Sequence, residues 1–176
     1  VIGIGHTRWA THGAPITDNA HPHATDKVAV VHNGIIENFA ELRHELEEKG
    51  HSFKSQTDTE VIPTLITDFL SQGQEPRTAF KSTLDRLEGA YAIAALFTDD
   101  EHTLYTARLG PPLAIGYGDG EHYVGSDAVA LSSLASRISY LQDGDWAALT
   151  TEEVTICNQQ SEEIDQQNLH HSAASE

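Results

Sequence analysis

The chain changes character once, near residue 88, and that change narrows the possible folds more than any other feature. Before it, apolar residues keep helical spacing. Phe39, Leu42 and Leu46 predict a helix running to Lys49, with Gly50 as its left-handed stop. Val61, Ile62, Leu65, Ile66, Phe69 and Leu70 predict a second helix, starting near Thr59 and ending at Gly73, with Pro63 in its first turns where proline costs least. A third covers about 77–87. Beyond it come strand-length runs at 91–97, 103–108, 113–117 and 122–125, separated by Asp99-Asp100 and Asp119-Gly120 turns. A short helix at 128–135 precedes three more strands, at 138–141, 146–149 and 154–157. The apolar runs 1–5 and 28–31 read as buried strands, each delivering a polar, glycine-bearing segment. Strands, helices and then many strands imply an α+β domain with largely antiparallel sheets packed face to face under helices.

At 176 residues the chain suits one domain. We place it at 1–157, followed by a polar linker or disordered tail at 158–176. A net charge of -17 repels phosphate backbones and anionic headgroups, which argues against nucleic acid and membrane surfaces as partners. No apolar run approaches the ~20 residues of a membrane span. Cys157 is the only cysteine, so no intrachain disulfide forms, and the composition suits a reducing cytoplasm. The chain has no Met, and Val1-Ile2-Gly3-Ile4 reads as the middle of a strand, so the sequence is read as a fragment.

The chemistry concentrates in residues 5–60. Gly5-His6-Thr7-Arg8-Trp9-Ala10-Thr11-His12-Gly13 has an unusual polar density for a simple connection, and the Arg8 fork suits a carboxylate. The plain alternative is a structural ion pair at Arg8 and a core plug at Trp9. His32-Asn33-Gly34 ends the next strand in this reading. Its side-chain amide followed by a glycine N–H is the hardware for stabilising an oxyanion, although alone it fits a simple Asn-Gly turn. Asp58 could neutralise a substrate ammonium, while Thr57-Asp58-Thr59-Glu60 also fits a capping box. An arginine for an α-carboxylate and a carboxylate for an α-amino group are the pair an amino-acid ligand demands.

Several motifs in order carry a resemblance. They are residues 6–13, Asn19-Ala20-His21-Pro22-His23, His32-Asn33-Gly34-Ile35-Ile36-Glu37-Asn38 and Thr57-Asp58-Thr59-Glu60-Val61, joined by Leu87-Glu88-Gly89-Ala90-Tyr91-Ala92, Arg108-Leu109-Gly110-Pro111-Pro112-Leu113 and Gly125-Ser126-Asp127. Together they resemble the glutaminase domain of the glutamine–fructose-6-phosphate aminotransferase family of class II glutamine amidotransferases. The resemblance implies the N-terminal-nucleophile hydrolase αββα sandwich, incomplete at its N-terminus. It also implies L-glutamine as substrate and ammonia passed to fructose 6-phosphate on a separate isomerase domain in a homo-oligomeric, cytoplasmic enzyme without a cofactor. Carried onto this sequence, Arg8 would hold the α-carboxylate with Thr11 and His12, and Asp58 with the Gly34 backbone would take the α-amino group. Asn33 and Gly34 would form the oxyanion hole, Trp9 would stand at the mouth of the ammonia passage, and His21 would be a pocket-side imidazole. The family's nucleophile is a processed N-terminal cysteine that matches no residue here, so this chain alone is expected to be inactive.

Three rivals remain at the level of sequence. His6, His12, His21, His23 and His32 cluster, but no sustained metal-ligand spacing emerges, so no metal is expected. Another class II amidotransferase would share the Asn-Gly and acidic elements but not the whole run. A noncatalytic glutamine-binding module would keep the pocket and lack the nucleophile.

Overall fold

A computed structural model describes residues 1–9 and 13–164. Their elements are β1 (His23–Ala24), β2 (Val28–Ile36), α1 (Phe39–Glu48), α2 (Val61–Ser71), α3 (Pro76–Leu84), β3 (Gly89–Phe97), β4 (Asp100–Leu109), β5 (Ala114–Tyr117), β6 (His122–Gly125), α4 (Ala128–Leu131), β7 (Arg137–Tyr140), β8 (Trp146–Leu149) and β9 (Val154–Cys157). Two 3-10 turns, Thr17–Asn19 and Asp58–Glu60, flank the first two strands and α1.

Every pairing is antiparallel. One sheet has the order β1-β2-β3-β4-β8-β9 and the other β6-β5-β7. The period-2 alternation of strand side chains gives the large sheet two buried faces. Val30, Ile93, Tyr105 and Trp146 pack against Leu46, Ile62, Ile66 and Phe80 of the helices. The other face carries Ala92, Ala94, Leu104 and Leu149, which meet Ile115, Tyr117 and Leu141 of the small sheet and its flank. On the small sheet's outer face a Cβ added at Gly116 would lie 2.8 Å from Ala135 and 3.5 Å from Leu131, so α4 and the residues after it form a thin fourth layer there. The layers therefore run helix, sheet, sheet, helix.

The helix ends follow their sequence signals. Gly50 and Gly73 adopt φ of 94° and 90°. His51 N–H then returns to the Leu46 carbonyl and Gln74 N–H to that of Phe69, capping α1 and α2.

Three expectations need correction. Residues 1–5 form no strand: Val1 and Ile2 are exposed, and only Ile4 leans on the core between the sheets. An apolar run becomes a strand only when a neighbouring backbone takes up its hydrogen bonds. The Asn33-Gly34 pair does not end its strand, because β2 continues to Ile36 in unbroken register with β3. The capping box at Thr57 is not made. The Glu60 carboxylate instead accepts from the backbone N–H groups of Lys54 and Ser55, at 2.8 and 2.7 Å, and from the Ser55 hydroxyl. Beyond β9, the Ile164 N–H bonds the Ile156 carbonyl at 2.8 Å. Among the described residues no helix is long and apolar enough to cross a membrane.

Candidate active site

β2 pairs with β1 only at Ala29 and Val30, and among the described residues no strand pairs with its edge from His32 to Ile36, called the open edge below. Residues two apart along a strand turn their main-chain groups to the same side. The Val28 carbonyl faces Thr25 on the β1 side, and the Ile36 N–H meets the Asp58 carboxylate at 2.7 Å, so the even-numbered residues address the open edge. The odd-numbered Glu37 N–H instead bonds the Glu88 carbonyl in the β3 direction. Gly34 therefore presents its main-chain groups to the open edge, beside Asp58. Only glycine fits there: φ is 121°, and a Cβ would lie 2.1 Å from the Ala90 carbonyl oxygen.

Asp58 is buried in the 3-10 turn that leads into α2. The same turn is fastened to β2 on the other side of Gly34, where Thr59 Oγ1 meets His32 Nδ1 at 2.9 Å. The opposite ring nitrogen, Nε2, donates to the Ala90 carbonyl at 3.3 Å, so Nδ1 accepts the Thr59 hydroxyl proton. Burial lowers the His32 pKa more than Asp58 raises it, which keeps the ring neutral as this pattern requires.

The segment before residue 10 covers this edge. Arg8 adopts φ of 52°, in the left-handed region that non-glycine residues seldom occupy, and its guanidinium Nη1 donates to the Ala14 carbonyl at 3.1 Å. Its backbone N–H donates to His6 Nδ1 at 2.8 Å. With Nδ1 accepting, the His6 proton sits on Nε2, which donates to Asn33 Oδ1. That bond fixes the Asn33 carboxamide with its NH₂ end as the remaining donor. His6 also stacks on His21 at 4.2 Å between centroids, and His21 meets the His23 ring edge-on at 5.0 Å. Both His21 ring nitrogens are buried without a hydrogen-bond partner. Burial first, and then the neighbouring His6, push the His21 pKa down to about 3, so its ring is neutral at physiological pH.

These pieces enclose a cavity of about 170 Å³ lined by His6, Arg8, Trp9, His21, His32, Asn33, Gly34, Thr57, Asp58 and Thr59. Six residues singled out in the sequence, Arg8, Trp9, His21, Asn33, Gly34 and Asp58, thus line one cavity. Trp9 is 90% exposed, which excludes the core-plug reading, and it also lines an adjoining cavity of about 380 Å³ beside Ser126. Thr11 and His12 lie outside the described residues. His6, His32, Thr57 and Thr59 were not assigned to the ligand pocket from sequence. The available signal was strand parity, which places His32 on the helix-side face next to the Asn33 donor. A larger cleft of about 620 Å³ lies between the sheets along residues 1–5, away from Arg8 and Asp58.

Cys157 is buried at 1% exposure on the helix side of β9, with the Arg77 guanidinium 3.4 Å from its sulfur. β9 is four strand spacings from β2, roughly 19 Å, so this thiol does not reach the cavity. Among the described residues no group of three or more His, Cys, Asp or Glu side chains is placed to hold a metal ion.

A family model described as a glutamine amidotransferase domain matches residues 6–133. A relative from Gluconobacter oxydans, glutamine–fructose-6-phosphate aminotransferase (isomerizing), is 57% identical over 162 residues, covering 92% of this chain and 27% of the relative. A protein of the same name from Bradyrhizobium diazoefficiens is 54% identical over 172 residues, covering 98% and 28%. The chain thus spans little more than a quarter of the length of these curated relatives. Among solved structures, the glutamine phosphoribosylpyrophosphate amidotransferase of B. subtilis superposes with a TM-score of 0.73 at 25% identity, over 87% of this chain and 34% of that one. A glutamine aminotransferase class-II domain protein from Silicibacter pomeroyi, at 21% identity and TM-score 0.63, shares the fold over 81% of this chain and 72% of its own.

Proposed function

This chain belongs to the glutamine amidotransferase domain family, and from that membership we propose that it is the glutamine-binding, ammonia-releasing part of a protein that delivers the amide nitrogen to fructose 6-phosphate. Its α+β sandwich is the N-terminal-nucleophile hydrolase fold. The observation that carries the functional reading is the cavity in which Arg8, Asp58 and the Asn33-Gly34 pair converge.

In this reading the Arg8 guanidinium takes the α-carboxylate of L-glutamine, with Thr11 and His12 beside it, and Asp58 with the Gly34 carbonyl takes the α-ammonium. The side chain then extends along the open edge of β2. When a thiolate adds to the amide carbon, the carbonyl π electrons move to oxygen, and the developing charge falls between the Asn33 NH₂ and the Gly34 N–H. His6 keeps Asn33 aimed, so no reorientation is needed as the charge appears. Trp9 stands at the outer rim, where ammonia would leave through the adjoining cavity. The relatives are more than three times as long as the part matched here, so we assign the sugar chemistry and a homo-oligomeric assembly to the longer protein.

The test is glutamine hydrolysis by the protein carrying this chain. Asn33→Ala is expected to lower kcat about 100- to 1,000-fold with a small change in KM, because its donors act on charge that exists only in the transition state. A rise in KM at constant kcat would instead make Asn33 an ordinary binding contact and remove the oxyanion assignment.

A further inference from the structure

Asn19 closes the first 3-10 turn with a side chain buried at 1% exposure, and no step described above uses it. Its carboxamide is engaged at both ends. Nδ2 donates to the Ala14 carbonyl, and Oδ1 accepts from the Gln56 backbone N–H, each at 3.0 Å. Those two partners belong to the two halves of the ligand grip. The Ala14 carbonyl is the same one that receives the Arg8 guanidinium. Gln56 sits two residues before Asp58, in the strap that Glu60 pins at Lys54 and Ser55. The turn at Gly13 is shaped around this contact: a Cβ there would approach Asn19 Nδ2 to 2.6 Å.

We infer that Asn19 is a positioning residue that sets the spacing between the Arg8 guanidinium and the Asp58 carboxylate, and so selects ligands bearing a carboxylate and an ammonium on one carbon. The inference rests on the glutamine reading above. A ligand gripped at one end gains fully from the second grip only when that grip already stands at the ligand's own separation. The planar carboxamide of Asn19 is short and tied at both ends, so it holds the Ala14 and Gln56 segments in one relation. Without it each charged group can still meet its own partner, but the two no longer meet one carbon together.

The experiment titrates the full chain, by NMR shifts, with three compounds: L-glutamine, glutaramate (which lacks the α-ammonium) and 4-aminobutanamide (which lacks the α-carboxylate). Loss of two neutral hydrogen bonds in Asn19→Ala is expected to weaken L-glutamine about tenfold and each one-ended compound less than about twofold. Asn19→Ser can satisfy one partner but not both. It should show the same pattern at smaller amplitude, and it carries the test if the alanine variant does not fold. Equal weakening of all three compounds, as a general loosening of the fold would give, overturns the inference, as does an unchanged affinity for L-glutamine. If the unsubstituted chain itself binds the three alike, the glutamine reading falls and the inference with it. Preference in the unsubstituted chain with uniform loss in the variants removes the inference alone.

Discussion

A proton has nowhere favourable to go on His21 or on His23, which meets it edge-on. Burial lowers the pKa of His21 to about 3 and also lowers those of His23 and His32 from the ordinary 6.5. The unfolded chain takes up these protons as pH falls through 6.5, whereas folded His21 does not until about 3. Stability should therefore decline on acidification below 6.5, with a slope approaching ~1.4 kcal/mol per pH unit from His21 and further contributions of the same sign from His23 and His32. Thermal melts between pH 6.5 and 5 check this, and His21→Phe, which keeps a ring against His6, should make the decline shallower. Asp68 does not confuse that window. Burial raises its pKa, but hydrogen bonds from His51 and Lys49 outweigh burial and lower it, so its contribution is lost only below the ordinary carboxylate range. Asp58 permits a separation of fold from function. Asp58→Asn keeps an oxygen for the Ile36 N–H and removes the charge, so glutamine affinity should drop about tenfold or more while the melting temperature falls less than in Asp58→Ala. Asp58→Ala should also lose roughly 1–3 kcal/mol of stability by leaving that N–H unpaired. Arg8→Lys keeps charge without the planar fork and should raise the glutamine KM clearly, and an unchanged KM would take Arg8 out of the carboxylate role.

Among the elements, β2 carries the site, and its local sequence misplaces its end. Val28, Ala29, Val30 and Val31 announced a strand, but Asn33-Gly34 looked like its end, because Asn-Gly is a strong local turn signal. Pairing with β3 overrides that signal: Gly34 sits opposite Tyr91, and Ala90 leaves no room for a side chain. Gly34→Ala should cost roughly 2–4 kcal/mol in urea unfolding, from strained φ and the clash together. Glu60 shows the same limit. Three residues after Thr57 it satisfied a capping box on paper, yet it holds Lys54 and Ser55, because the incoming loop folds back within reach. The helices were legible to within a few residues. Their apolar spacing and the stops at Gly50 and Gly73 are local properties that no distant contact revises.

In the molecule as a whole, the alternation of strands around turns such as Asp119-Gly120 sufficed for an antiparallel α+β sandwich, and the polar motifs sufficed for six of the ten residues that line the cavity. Sequence could not supply the partition of strands between sheets, since β8 joins β4 only after the chain has passed through the whole small sheet. That small sheet is held by a few side chains such as Ile115, which is fully buried. Ile115→Ala should cost roughly 2–5 kcal/mol. It should also speed hydrogen exchange in β5, β6 and β7 before it affects α1 to α3, which pack on the opposite face. The open edge of β2 has one more consequence. In the proposed binding mode a ligand lying along His32 to Ile36 would take the lane of a neighbouring strand, so glutamine there would act as a one-residue strand on this edge. Occupancy and edge-to-edge association then compete for the same hydrogen-bonding groups, and saturating glutamine should slow any aggregation that starts from this edge.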